Sequence, residues 1–368
     1  MRASRRNIVV GVVLAVLLVL AIILFWGPKS SAKEVNLLIW AGYEDPTILN
    51  EFKRANPDIK VNYKTFVGGD SMFSLLTQSH NQYDVVVVDP EYIDKLYAAK
   101  KLASLDPQDY DFTGYLEELK NFPLCWKSNR LYAIVVEFGS LGLVYNTRHI
   151  SAQEAASYSI LFSPKVKGRV AVWDWYLPIM GVLSRSLGND QPYQISDAQF
   201  ALLQSRLKQL RPQIAAIQPN FAALMAALAN EDAWIVPGGA EWVASALQDQ
   251  GKHFDWVVPP PGGVMWMDSL AIPVDAPHSE AAKVYIRWMM TPKAQALLSQ
   301  KQAYHSNVPN LRAYDLMPAA HKDRLRIHNA QEMRDLLRHL AVRRLPVNQP
   351  EQVWQEAWEN FKAGGTNK

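Results

Sequence analysis

The sequence predicts an α/β protein of about two domains built on a largely parallel sheet, and three observations carry that prediction. The chain has 368 residues, room for two cores at roughly 150 residues per domain. From Val35 onward, short β-rich runs alternate with helical stretches, the pattern of βαβ units. The run Val85-Val86-Val87-Val88 is apolar throughout, as a strand buried on both faces must be. A content of 49% hydrophobic and 20% charged residues excludes a disordered chain and a multi-pass membrane protein, and the lone Cys125 excludes a disulfide scaffold or a Cys-rich metal site.

The first element is a leader. Arg5-Arg6 precedes an apolar run from Ile8 to Trp26, nineteen residues long. At about 1.5 Å per residue that is nearly 30 Å, the thickness of a bilayer core. The arginines favour a cytoplasmic N-terminus, which places the rest of the chain on the outer side. Three readings stand: an uncleaved single-span anchor, suggested by the length of the run, a cleaved signal, suggested by the small residues Ser30-Ser31-Ala32, and, least favoured, a buried helix. The leader also sets the sign of the net charge. The whole chain is +3, and removing Arg2, Arg5, Arg6 and Lys29 leaves 34 basic residues against 35 acidic ones. A near-neutral body without clustered Lys/Arg argues against a nucleic-acid partner.

In the body, Val35–Trp40 reads as a strand, and Asp45-Pro46 supplies an N-cap and N1 proline for a helix that stops at Asn56-Pro57. A strand follows over Lys60–Phe66. Gly68-Gly69-Asp70 turns the chain into a helix with an apolar face of Met72, Phe73, Leu75 and Leu76, and Asp84–Val88 is the third strand. Later strands are expected near Arg169–Trp173, Ala233–Val236, Phe254–Val258 and Ser269–Pro273. Ser196-Asp197-Ala198-Gln199 has capping-box spacing ahead of a long helix. Another helix covers Ser279–Met290, and Val353, Trp354, Trp358 and Phe361 give the last helix one packed face.

Several chemistries are missing. No Gly-rich phosphate loop, dinucleotide fingerprint, zincin, EF-hand or nucleophile-elbow motif occurs, and none of the eight histidines pairs with another at i+3 or i+4. No metal, cofactor or catalytic residue is therefore expected. Asp89 and Glu91 form an acid pair at a strand mouth, but two residues apart in a loop they fit solvation or helix capping better than acid–base catalysis.

The segment Trp266-Met267-Asp268-Ser269-Leu270-Ala271-Ile272-Pro273 carries a resemblance. Ile39-Trp40 with Tyr43, Tyr83-Asp84 running into Tyr92-Ile93-Asp94-Lys95, and Tyr304 ahead of Pro309-Asn310 support it in order and spacing. With these blocks, the chain after residue 34 resembles the extracytoplasmic spermidine/putrescine-type solute-binding proteins of ABC transporters. The resemblance implies an α/β, two-lobed periplasmic-binding-protein fold (type II), preceded by one N-terminal apolar helix. Residues 1–33 would be the leader, 34–140 plus 271–311 lobe one, and 141–270 plus 312–368 lobe two. Hinge crossings would fall near Gly139–Asn146 and Asp268–Ile272, with a return near Pro309–Tyr314. It implies a monomer, no enzyme, closing around a small amine or polyamine-like ligand and recognised by an ABC permease in the inner membrane. A tethered sensor or scaffold of the same fold, binding another solute without delivering it, is the alternative.

By the same resemblance Trp40, Tyr43, Trp266 and Tyr304 would wall the cleft and Asp268 would supply a carboxylate. Aromatic faces suit methylenes and a cationic head, and a carboxylate takes the N–H donors. The chain departs from the pattern elsewhere. Where polyamine binders place two acids in lobe two it has Trp175 and Pro178, with Asp174 one position away. An expected aromatic near Val236-Pro237 is absent, with Glu241 and Trp242 following, and an expected glutamine is Arg344. Asp89 and Glu91 stand where a hydroxyl residue and a tyrosine are usual. Two ligand readings follow: an amine held by Asp89, Glu91 and Asp268, or a different solute with an anionic group met by Arg344.

Overall fold

The computed structural model describes residues 33–364. The apolar run at 8–26 lies outside the described residues, among which no helix is long and apolar enough to cross a membrane.

Strand β1 (Lys33–Trp40) lies between β2 (Ile59–Phe66) and β3 (Val85–Val88), parallel to both. Helix α1 (Pro46–Ala55) joins β1 to β2. It starts where the Asp45 carboxylate accepts from the Thr47 backbone N–H, ends at Asn56, and buries Ile48, Leu49 and Phe52. Helix α2 (Gly69–Gln78) follows Gly68, whose φ of +84° favours glycine. All four residues of β3 are buried, and α3 (Pro90–Ala98) begins immediately after it.

A small hairpin of β4 (Trp126–Lys127) and β5 (Arg130–Leu131) leads into β6 (Ile134–Asn146), whose thirteen residues are all buried. Then come β7 (Val170–Trp173), α4 (Tyr176–Ser186) and α5 (Asp197–Leu210), the last opened by the Ser196/Gln199 capping box. Strand β8 (Ile214–Gln218), α6 (Phe221–Ala229), β9 (Ile235–Gly239), α7 (Glu241–Asp249) and β10 (Phe254–Val257) complete this half. Strand β11 (Gly263–Ala271) returns, followed by α8 (Ser279–Met289), α9 (Pro292–Ser299), α10 (Ala319–Leu325), α11 (Ala330–Arg338), β12 (Leu340–Val342) and α12 (Glu351–Lys362).

Apart from the β4/β5 hairpin, the strands form one curled sheet whose main path runs β2-β1-β3-β11-β6-β9-β7-β8, with β10 beside β6 and β12 beside β11. The β2-β1-β3 and β9-β7-β8 groups are internally parallel, and the antiparallel pair β6 and β11 joins them. Residues 134–141 of β6 pair with β11, whereas 142–146 pair with β9 and β10. The chain therefore passes between the halves along hydrogen-bonded strands.

Two separate cores result. One gathers Leu37, Ile39, Val86, Phe138, Met267 and Tyr285, and the other Val144, Val172, Leu203, Trp266 and Trp354. The side chains of Ala313, Tyr314, Leu325 and Met333 pack into the first core, whereas the expected division assigns 312–368 to lobe two. Several strands differ from the sequence reading: the short β4, β5 and β12 and the thirteen-residue β6 have no counterpart in it, and β11 and β8 also depart from it. Trp266-Met267-Asp268 lies inside the nine-residue β11 instead of preceding a short strand, and β8 has no counterpart because its half-exposed IAAIQ carries neither clear alternation nor a solid apolar run.

Candidate functional site

A cleft of about 500 Å³ opens where the two cores meet. The βαβ architecture decides which residues reach it, because in such sheets a crevice forms beyond the carboxyl ends of the parallel strands. Trp40 ends β1, Gly69 and Asp70 follow β2, and Asp89 follows β3. From the other half, Trp173 ends β7, Trp175 lies two residues on, Asn220 follows β8 and Trp242 follows β9. Trp266 and Asp268 enter from β11, and Tyr304 from the loop after α9.

The aromatic rings form a connected wall. Trp173 lies 5.5 Å from both Trp175 and Trp242 between ring centroids, Trp242 is 4.9 Å from Phe221, and Tyr304 stands edge-on to Trp266 at 5.9 Å. Trp40 faces Trp175 at 6.5 Å, so rings from the two halves meet. Gly139 of β6 makes room for this packing, since a Cβ there would fall 2.5 Å from Trp266 Nε1 and 2.3 Å from Glu241 Oε1.

Asp268 sits at the floor and is 3% exposed. Its Oδ2 accepts from the Tyr43 hydroxyl at 3.1 Å. Burial pushes its carboxyl well above the ordinary carboxylate range, and the charge of Glu137 pushes it further. Glu137 stands opposite it on β6 and is ion-paired with the fully buried Lys301. Ser306 Oγ also donates to Glu137, at 2.6 Å. The Lys301 ammonium lies 3.7 Å from the Tyr304 ring centroid, so a buried cation holds this wall from behind. Removing Lys301 from water lowers its pKa, which the negative charge of Glu137 opposes.

Asp89 and Glu91 are engaged by Arg343, which follows β12. Arg343 Nη2 donates to Asp89 Oδ1 and its Nε to Glu91 Oε1, each at 2.6 Å, and its guanidinium lies 4.4 Å from the Trp175 ring. Burial drives the Asp89 pKa up to about 7 and that of Glu91 upward, with Arg343 acting against the rise in both. Asp89 takes the N-cap position of α3 without capping it, so neither capping nor solvation accounts for the acid pair.

Of the residues expected at the site, Trp40, Asp89, Trp266, Asp268 and Tyr304 line the cleft. Tyr43 is fully buried behind Asp268, and Glu91 is buried behind Asp89 against Arg343. Trp175 and Trp242 join the wall, as does Trp173, which sequence reasoning missed. Its position at the carboxyl end of a recognised strand was the available signal. Glu241 is buried away from the cleft, accepting from the Ser140 backbone N–H at 2.9 Å and from the Ser140 hydroxyl. Arg343, not Arg344, reaches the cleft. Among the described residues no group of three or more His, Cys, Asp or Glu is placed to hold a metal ion.

Two buried cores, two strands running between them and an aromatic cleft at their junction define a binding protein. Residues 47–325 match the bacterial extracellular solute-binding protein family, and the chain belongs to it. Proteins of this family are non-enzymatic transport components that act outside the cytoplasm. The chain is 25% identical over 332 residues to the spermidine/putrescine-binding periplasmic protein of Escherichia coli K12, covering 88% of this chain and 90% of that one. It is 23% identical over 362 residues to a putrescine/agmatine-binding protein of Pseudomonas aeruginosa, covering 92% and 94%. A solved putative spermidine/putrescine ABC transporter protein from Listeria monocytogenes superposes with a TM-score of 0.75 at 22% identity, over 90% of this chain and 99% of that one.

Proposed function

We propose that this chain is the solute-binding component of an ABC importer, taking the ammonium end of a small amine into the aromatic cleft at Asp268. Lobe closure then presents the loaded form to a permease in the inner membrane. The observation that carries this reading is Asp268 itself, a buried carboxylate with one oxygen taken by Tyr43 and tryptophan and tyrosine rings around it. A desolvated cation–π contact contributes on the order of 2 kcal/mol, so two or three of them with one ion pair support micromolar affinity after association costs. The relatives whose names include putrescine or spermidine point to the same ligand class.

Calorimetric titration with putrescine, spermidine, simple alkylamines, amino-acid amines and aminophosphonates tests it. At least one amine binds at micromolar concentration, and Asp268→Asn weakens it by about tenfold or more, the usual scale for a buried charge-assisted contact. No heat with any amine up to about millimolar concentration, where binding free energy falls to roughly 4 kcal/mol, would sink the reading.

A further inference from the structure

We infer that Arg343 sets specificity: the chain's own guanidinium occupies the place of a second ligand cation, so the cleft takes a solute with one cationic end and an anionic, hydrogen-bond-accepting far end. This rests on the amine reading above and narrows it.

Three groups suited to a cation converge beside the cleft: the Asp89 and Glu91 carboxylates and the Trp175 ring. Arg343 engages all three, with both ion pairs at 2.6 Å and the ring at 4.4 Å. The other carboxylate oxygens, Asp89 Oδ2 and Glu91 Oε2, are sealed from solvent and make no hydrogen bond among the described residues, so a solute does not reach them in this arrangement. The remaining acids of the lining are also engaged. Asp174 accepts from Trp358 at 2.7 Å and Lys362 at 2.9 Å, and Asp70, at the exposed rim, accepts from the Tyr92 hydroxyl at 2.8 Å. Asp268 is the buried carboxylate left to meet an ammonium.

Arg343 is fixed in place. Its backbone N–H donates to the Met265 carbonyl of β11 at 2.9 Å, next to Trp266 and three residues from Asp268, so Arg343 and Asp268 are both referenced to one strand. Two of the five N–H donors of the guanidinium are used, and Nη1 makes no hydrogen bond among the described residues. A second ammonium arriving here would meet a like charge and no accessible carboxylate, whereas a carboxylate would meet a cation with donors to spare.

Three four-carbon compounds that share an amine and differ only at the far end provide the test: 4-aminobutanoate, n-butylamine and putrescine. Wild-type protein binds 4-aminobutanoate tightest and putrescine weakest, with about tenfold or more between them. Arg343→Met, which frees Asp89 and Glu91, reverses that order, while Arg343→Lys keeps it. Unpaired buried acids threaten folding, so Arg343→Met/Asp89→Asn/Glu91→Gln, which removes all three charges together, is measured alongside. In that variant the preference for 4-aminobutanoate over n-butylamine collapses to within about threefold. Putrescine binding as tightly as 4-aminobutanoate in the wild type, or a ranking that survives both methionine variants, overturns the role of Arg343 and leaves the amine reading standing. Silence from these three and from every other amine overturns both.

Discussion

At the residue scale, three buried acids, two at the cleft and one away from it, are tuned by burial. Asp268, Asp89 and Glu241 all have carboxyl pKa values raised by desolvation, the last two to about 7. For Glu241 the hydrogen bonds from Ser140 pull the other way without cancelling the effect. A raised pKa means that the folded protein holds a proton more tightly than the unfolded chain does. The resulting stabilisation is present at pH below the ordinary glutamate range and is lost as pH climbs through about 7. Glu241→Gln keeps an acceptor for Ser140 and removes the titration. Denaturant unfolding at about pH 5 and pH 8 should show the variant losing less stability over that interval than the wild type, by up to the order of 3 kcal/mol. Equal losses in both proteins would mean that Glu241 does not titrate differently on folding.

At the element scale, β6 and β11 join the two halves; β11 carries Trp266 and Asp268 into the cleft, and β6 backs them with Glu137 and Gly139. Gly139→Ala places a methyl group against Glu241 and Trp266. The expected outcome is a destabilisation of about 1–3 kcal/mol by chemical unfolding, with a shifted tryptophan emission; an unchanged midpoint would show that the two side chains yield freely. Elements of this kind differ in how far the sequence reveals them. Asp45-Pro46 and Ser196-x-x-Gln199 announce helix starts because capping is local, and Val85–Val88 announces a buried strand because both its faces are covered. The thirteen residues of β6 are buried by partners on two different cores, a long-range circumstance that no local pattern records. The site divides in the same way. Trp40, Trp266 and Asp268 are legible through their neighbours in sequence, whereas the pairing of Arg343 with Asp89 and Glu91 spans 254 and 252 residues and appears only when the chain is folded.

At the scale of the whole molecule, one curled sheet with two cores places an aromatic cleft where the halves meet, with rings from both halves in contact across it. In the proposed function, closing such halves on a solute would give a differential contact that distinguishes the loaded form from the empty one. The proposed function requires an ammonium pairing with Asp268, whose raised pKa makes that pairing compete with a proton. The most direct measurement is therefore the affinity of the tightest-binding amine as a function of pH, read by calorimetry on wild type and on Asp268→Asn. The wild-type affinity should rise with pH, with a proton released on binding, and the variant should bind more weakly and without that rise. A wild-type affinity that is flat or falls with pH, or a variant that follows the wild-type curve, would contradict the central role given to Asp268.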